Sequence, residues 1–412
     1  MRISSSQYFN MNVSTMSDEQ AQLSQLYAEI SSGVSLNTPS DNPLGAAQAV
    51  QLSSTATSLS QYTTNQTMAL ASLQQEGSTL GSVNTVLASI NTLILQAGDA
   101  SLNNSNRGAI ATQLQGLSDQ LMTLANTTDP QGNYLFAGFQ STAQPYSTNS
   151  AGVVTYSGDT GARTVQISGS STVQTADNGL SIFGSVAPVG TSAVPAAVSG
   201  NQGSGVISAV SLNNPTDPTN ADTYTINFLT PTTYTVSQTS PTTPGTPGTP
   251  GTPGPVQTFT AGSTITLRGQ SVSISGTPSS GDSFTVTPAT QGNMDVFANL
   301  NQLIAALQSP VSGAASAASL QNTLTTSATQ LGNTINNVVT AQANVGGREQ
   351  EVQALQTVTQ ANTLQTSTNL TGLTQTNMVQ TIAQYTMEQT TLQAAQLAFS
   401  KIQNMSLFQY LN

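Results

Sequence analysis

The chain has 412 residues and a formal net charge of −11, with charged residues at 6% where an ordinary soluble protein carries roughly 25%. Its 6 basic residues cannot assemble the patch that a phosphate backbone or an anionic membrane requires. The absence of Cys and His removes disulfides, thiol nucleophiles, Ser–His–Asp triads and Cys/His metal sites, so no cofactor is expected.

Ser, Thr, Asn and Gln stand in for the missing ions. Three readings fit that substitution: polar faces that pack on copies of themselves without stranding a buried charge, compositional drift, or life in an acidic medium. No run approaches the roughly 18 consecutive apolar residues of a membrane span, and the start lacks the apolar core of a secretory signal. Export by another route, without a cleaved signal peptide, is the expectation.

Along the chain, Phe9, Val13, Met16, Gln20, Leu23, Tyr27 and Ile30 step by four and three, which sets them on one helix face. Gly33 ends that helix, and Asn37-Thr38-Pro39-Ser40-Asp41-Asn42-Pro43 is a turn. Leu73, Glu76, Leu80, Val83, Leu87, Ile90, Ile94 and Ala97 form a second seam. Asn103-Asn104 mark a break, and Ile110, Leu114, Leu117, Leu121 and Leu124 resume the pattern until Asp129-Pro130.

After Gly132 the period becomes two. Val154, Tyr156, Val165 and Ile167 alternate with polar residues, as do Tyr224, Ile226 and Phe228, then Ile265 with Leu267, Val272 with Ile274, and Phe284 with Val286. Arg268-Gly269 closes a hairpin, with Gly at a position suited to the turn. The repeat Thr243–Pro255 reads as a solvated loop. Helical spacing returns with Phe297, Leu300, Ile304 and Leu307, then Leu324, Ala328, Leu331, Ile335, Val338, Gln342 and Val345. The last tract carries Met378, Ile382, Tyr385, Leu392, Ala395, Phe399 and Ile402, followed by Leu407 and Phe408.

Helices, then strands, then helices predict an α+β fold: a long helical coiled-coil bundle built from both chain ends, with an inserted β-rich domain. The predicted divisions are 1–36 with 375–412 as a terminal coiled-coil region, 37–135 with 290–374 as a helical bundle, and 136–289 as the insert. The terminal seams have no other place to bury and are read as partners for each other and for neighbouring subunits. The candidate assembly interface is therefore Phe9, Val13, Met16, Leu23, Tyr27, Ile30, Ile382, Tyr385, Leu392, Phe399, Ile402, Leu407 and Phe408.

Signs of catalysis are sparse. Adjacent carboxylates such as Asp18-Glu19 do not face each other on a helix, and Asp159 between Gly158 and Thr160 reads as a turn residue. The chain is expected not to be an enzyme, with a carboxylate-only glycosidase as the remote alternative. Tyr224, Phe228, Tyr234 and Phe284 fit either a lobe core or a glycan-binding groove.

Short motifs at both ends resemble a known family. They are Met1-Arg2-Ile3-Ser4, Ile30-Ser31-Ser32-Gly33 with the turn at 37–43, Gly132-Asn133-Tyr134-Leu135-Phe136-Ala137-Gly138, and Tyr156-Ser157-Gly158-Asp159 with Arg163 and Ile167. The end adds Thr391-Leu392-Gln393-Ala394-Ala395-Gln396, Phe399-Ser400-Lys401-Ile402 and Ser406-Leu407-Phe408-Gln409-Tyr410-Leu411. Together they resemble the flagellar hook-associated protein 3 (FlgL) family over roughly 1–180 and 290–412. Residues 185–290 carry no such likeness, and Asn369–Met378 lacks the acidic residues usual there.

The resemblance implies a structural subunit of the bacterial flagellum, exported by the type III route with a chaperone on the C-terminal segment. It would form a helical layer of copies of itself between the first hook-associated protein and flagellin, outside the cell, with no nucleic acid bound and no membrane insertion. The rival readings are a flagellin filament subunit and a surface adhesin or glycan-binding module.

Overall fold

The computed structural model describes residues 5–408 apart from 41, 130, 151, 188 and 242–250, with side chains described as far as 401. The opening Met1-Arg2-Ile3-Ser4, Asp41 of the first turn, Pro130, most of the Thr-Pro-Gly repeat and the closing 409–412 lie outside the described residues. Contacts divide the chain into a terminal unit, Met1–Thr64 with Leu355–Asn412, and a middle unit, Asn65–Ala354.

The terminal unit holds α1 (Ser5–Ser32) and α7 (Met378–Phe408), with the first part of α2 (Pro43–Ala97) and the last part of α6 (Ala314–Thr374). Gly33 stops α1 with φ +70°, a left-handed conformation that suits glycine at a helix C-terminus. Beyond it the chain pairs with the α6–α7 link. Val34 bridges Gln375, the Ser35 N–H donates to the Thr374 carbonyl at 2.7 Å, and the Thr376 N–H donates to the Gly33 carbonyl at 3.1 Å.

In the middle unit, the predicted seam of α2 is buried from Leu73 through Glu76, Leu80, Val83, Leu87 and Ile90 to Ala97. By length and composition α2 could cross a bilayer, yet these apolar side chains are core. The break falls where expected: α3 (Asn104–Ala125) starts on Asn103, whose side chain accepts from the Asn106 N–H at 2.9 Å. Helix α5 (Val296–Gln308) packs on α3 and buries Phe297, Leu300, Ile304 and Leu307, the four residues of its predicted face. Asp295 caps it through the Phe297 N–H at 2.9 Å. A Cβ on Gly77 of α2 would come into ordinary contact with Val345 and Glu349 of α6.

The strands are all antiparallel. Two hairpins come first, β1 (Tyr146–Thr148) with β2 (Val154–Tyr156) and β3 (Arg163–Gln166) with β4 (Thr172–Ala176), followed by the short helix α4 (Gly179–Phe183). One sheet then joins β5 (Val194–Ala197), β8 (Thr223–Thr230), β9 (Thr233–Thr239), β10 (Gln257–Thr258) and β13 (Ser283–Thr287) in the order β10-β9-β8-β13-β5. The other joins β6 (Val206–Ile207), β7 (Ser211–Leu212), β11 (Thr264–Leu267) and β12 (Gln270–Ser275), with β12 central.

Both sheets feed one core, in which Tyr224, Phe228, Tyr234 and Phe284 are buried with Phe259, Ile226 and Ile274. Phe228 meets Phe259 edge-on at 4.9 Å and Phe284 at 5.9 Å. These aromatics are therefore lobe core, although Tyr224 also lines a pocket with Val236, Gln238 and Arg268. In the β11–β12 turn it is Arg268, not Gly269, that takes positive φ (55°). Gly269 is needed for space instead, since a Cβ there would come within 2.6 Å of the Asp217 Cβ.

Two of the sequence motifs interlock. The Asp159 carboxylate accepts from the Phe139 N–H at 2.9 Å and the Gly161 N–H at 2.7 Å, and the Tyr156 hydroxyl donates to the Phe136 and Asp159 carbonyls. Backbone donors hold the Asp159 carboxyl below its ordinary range. It is a turn residue, and Tyr134–Gly138 with Tyr156–Asp159 form one locked corner.

A polar stripe on α6 holds the inserted segment. Asn322 accepts from the Ile207 N–H at 2.8 Å and donates to the Gly205 carbonyl at 2.9 Å. Thr326 donates to the Pro195 carbonyl, and Gln330 to the Asn293 carbonyl. Asn333 accepts from and donates to the main chain of Ser192, both at 2.8 Å. Asn337 donates to the Ser181 and Ile182 carbonyls. As α6 climbs from 322 to 337, its main-chain partners in the insert, Gln330's aside, descend from 207 to 181. The segment therefore runs antiparallel along the helix, its main-chain groups paired by the helix's carboxamides.

Candidate assembly surface

Steps of four and three put every fourth and third side chain of a helix on one stripe, and two such stripes pack into a coiled-coil seam. Helices α1 and α7 do this in antiparallel fashion: Phe9 meets Phe399 with ring centroids 5.3 Å apart, and Tyr27 meets Tyr385 at 6.4 Å. On α1 the half-covered residues are Asn12, Met16, Glu19, Leu23, Leu26 and Ile30, with Glu29 beside the last. On α7 they are Tyr385, Glu388, Leu392, Ala395 and Phe399, after the buried Thr381.

Of the predicted interface residues, Met16, Leu23, Ile30, Tyr385, Leu392 and Phe399 thus lie on the seam between the two helices. Phe9 and Tyr27 touch α7 through their rings yet stay exposed, and Val13 and Ile382 are exposed. The side chains of Ile402, Leu407 and Phe408 lie outside what is described. Leu26 was missed because the sequence pattern followed its larger neighbour Tyr27. Asn12, Glu19, Thr381 and Glu388 were missed because they are polar. All five fit the spacing, so periodicity read without regard to polarity would have found them.

Little of this pair's apolar surface is sealed. Tyr8, Met11 and Tyr27 on α1 and Val379, Met387 and Leu397 on α7 are exposed, Tyr27 at 63% and Val379 at 82%. Large side chains left in water on both helices of a pair are what a surface completed by other subunits looks like. Among the described residues no group of three or more acidic side chains is placed to hold a metal ion.

Residues 3–141 match the family described as the bacterial flagellin N-terminal helical region. Flagellar hook-associated protein 3 of Salmonella typhimurium is 36% identical over 186 residues, 45% of this chain and 58% of that protein. The protein of the same name from Escherichia coli is 37% identical over 147 residues, 36% of this chain and 46% of that one. The matched stretches thus span less than two thirds of these curated relatives. In fold, the crystal structure of Xanthomonas campestris FlgL is similar with a TM-score of 0.66 and 26% identity, covering 76% of this chain and 97% of that one. In sequence and in fold, then, this chain is similar to flagellar hook-associated protein 3, as the motifs at its two ends indicate.

Proposed function

We propose that the chain is a structural, non-catalytic subunit of the bacterial flagellum that joins the hook, through the first hook-associated protein, to the flagellin filament. The α1–α7 pair carries the proposal. Its two heptad-spaced stripes face each other, and large apolar side chains remain in water beside them. Likeness to hook-associated protein 3 supplies the setting.

In this reading 1–36 with 375–412 is the assembly region, 37–135 with 290–374 the supporting bundle, and 136–289 the insert. Copies wind helically into a short layer outside the cell, with Phe9, Val13, Met16, Leu23, Tyr27, Ile30, Ile382, Tyr385, Leu392, Phe399, Ile402, Leu407 and Phe408 at the contacts. The other partners are the first hook-associated protein, flagellin, and an export chaperone. A second reading, a filament subunit, draws on the match to the flagellin N-terminal helical region.

Co-sedimentation tests the proposal. The full-length chain is expected to pellet with isolated hooks that carry the first hook-associated protein, and Phe399→Asp is expected to stay in solution. Binding by neither would contradict it.

A further inference from the structure

Glu76 is a carboxyl group that the assembly surface does not use. It sits in the apolar seam of α2 with no exposed surface. Its Oε1 accepts from the Asp177 N–H at 2.8 Å, while Oε2 is buried and meets no donor. The polar side chain beside it is a second carboxyl, that of Asp177. Two carboxylates in contact repel, whereas a carboxyl and a carboxylate form a strong hydrogen bond.

The surrounding donors decide which of the two keeps its charge. Arg348 on α6 donates to Asp177 at 2.6 Å and Gln174 of β4 donates to it at 2.7 Å. These donors all point at Asp177, so of the two carboxyls Glu76 is the one with a proton to give. The other charged groups around the hairpin are engaged elsewhere or oppose ionisation. Glu349 lies against Gly77, Glu351 accepts from Ser171 in the β3–β4 turn, and Arg163 of β3 donates to the Tyr134 and Leu135 carbonyls.

We propose that Glu76 and Asp177 share one proton, and that this proton latches the β3–β4 hairpin onto α2 and α6, closed at acid and neutral pH and loosened when the proton leaves at alkaline pH. The hairpin's other ties do not involve this proton: Gln66 donates to the Ile167 carbonyl at 2.7 Å, Asn65 donates to the Gln166 carbonyl at 2.8 Å, Glu351 accepts from Ser171 at 3.3 Å, and Arg348 donates to the Gln174 carbonyl at 3.3 Å. Loss of the proton would thus open the Asp177 end first.

Burial, and then the Asp177 charge, push the Glu76 carboxyl up from 4.5 to about 8. An acid whose pKa is higher folded than unfolded contributes its full stability below the unfolded value, where both states hold the proton. That stability is lost as pH climbs from the unfolded value through the folded one.

The test is hydrogen exchange across residues 164–177 in the full-length protein at about pH 6 and about pH 9, corrected for intrinsic exchange. Wild type should lose roughly tenfold or more of its protection at the higher pH. In Glu76→Gln, an amide that accepts from the Asp177 N–H and donates to its carboxylate without titrating, protection should be the same at both. Equal loss in the two proteins, or none in wild type, overturns the proposal. Should Glu76→Gln not fold, carboxyl-carbon NMR of wild type labelled only at glutamate decides. One glutamate titrating near or above neutrality supports the latch, and all titrating together as ordinary carboxyls overturn it.

Discussion

Asn333 shows how this chain uses neutral polar residues. It is 2% exposed, in the middle of a helix, where asparagine is a poor former. What holds it there is Ser192, whose N–H and carbonyl it serves together as a neighbouring strand would. Asn333→Ala should lower stability by about 1–2 kcal/mol, since two hydrogen bonds go while exposed Ser192 can turn to water. The denaturant midpoint of the middle unit reads it, and a loss below about 0.5 kcal/mol would mean that water takes over both bonds. Gly269→Ala belongs to the same scale. Its Cβ has no room beside Asp217, so a loss of about 1–3 kcal/mol is expected in the same assay. Neither role was legible in the sequence. Asn333 became visible only once Ser192, 141 positions away, lay against it. Gly269 was recognised as a turn residue for its backbone freedom, while its actual constraint is a neighbour remote in sequence.

At the scale of elements, period was the readable signal. The seams of α2 and α5 and the alternation in β8, β11, β12 and β13 all recur as buried faces, because burial of apolar side chains decides them locally. The stripe Asn322, Thr326, Gln330, Asn333 and Asn337 has the same three-and-four spacing and was passed over because its members are polar. The low charge noted at the outset has here a use within one molecule: amides and hydroxyls can be buried against main chain without the cost of desolvating a charge. The short elements β5, β6, β7 and α4 carry too few residues for any period to show. For α7, Leu392→Asp places a charge in the half-covered seam facing α1. It should abolish assembly while the circular dichroism melt of the middle unit stays where it was. A variant that still adds to hooks would remove Leu392 from the interface.

For the whole molecule, the few titratable groups set a pH profile. Burial raises the carboxyls of Glu76 and Asp295, so the contribution of each falls as pH rises above its ordinary range, for Glu76 up to about 8. Hydrogen-bond donors, those at Ser101, Phe139 and Thr219 foremost, lower Asp99, Asp159 and Asp217, whose contribution is lost as pH falls below about 4. Stability should therefore peak in mildly acid solution, near about pH 5, and the thermal midpoint should be lower at pH 8 than at pH 5. A midpoint that rises steadily from pH 5 to pH 8 would contradict this. The α+β layout followed from the order of periods along the chain, and the flagellar setting from motifs at its ends. The division into a terminal and a middle unit falls inside α2 and α6, where no break in the sequence marks it.

The central claim, a junction subunit completed by its neighbours, is tested most directly by electron microscopy of the full-length protein, alone and then mixed with isolated hooks bearing the first hook-associated protein. The expected result is no filament from the protein alone, a short layer added at the hook tip, and growth of flagellin from that layer. Long filaments formed by the protein alone would contradict the claim and make it a filament subunit.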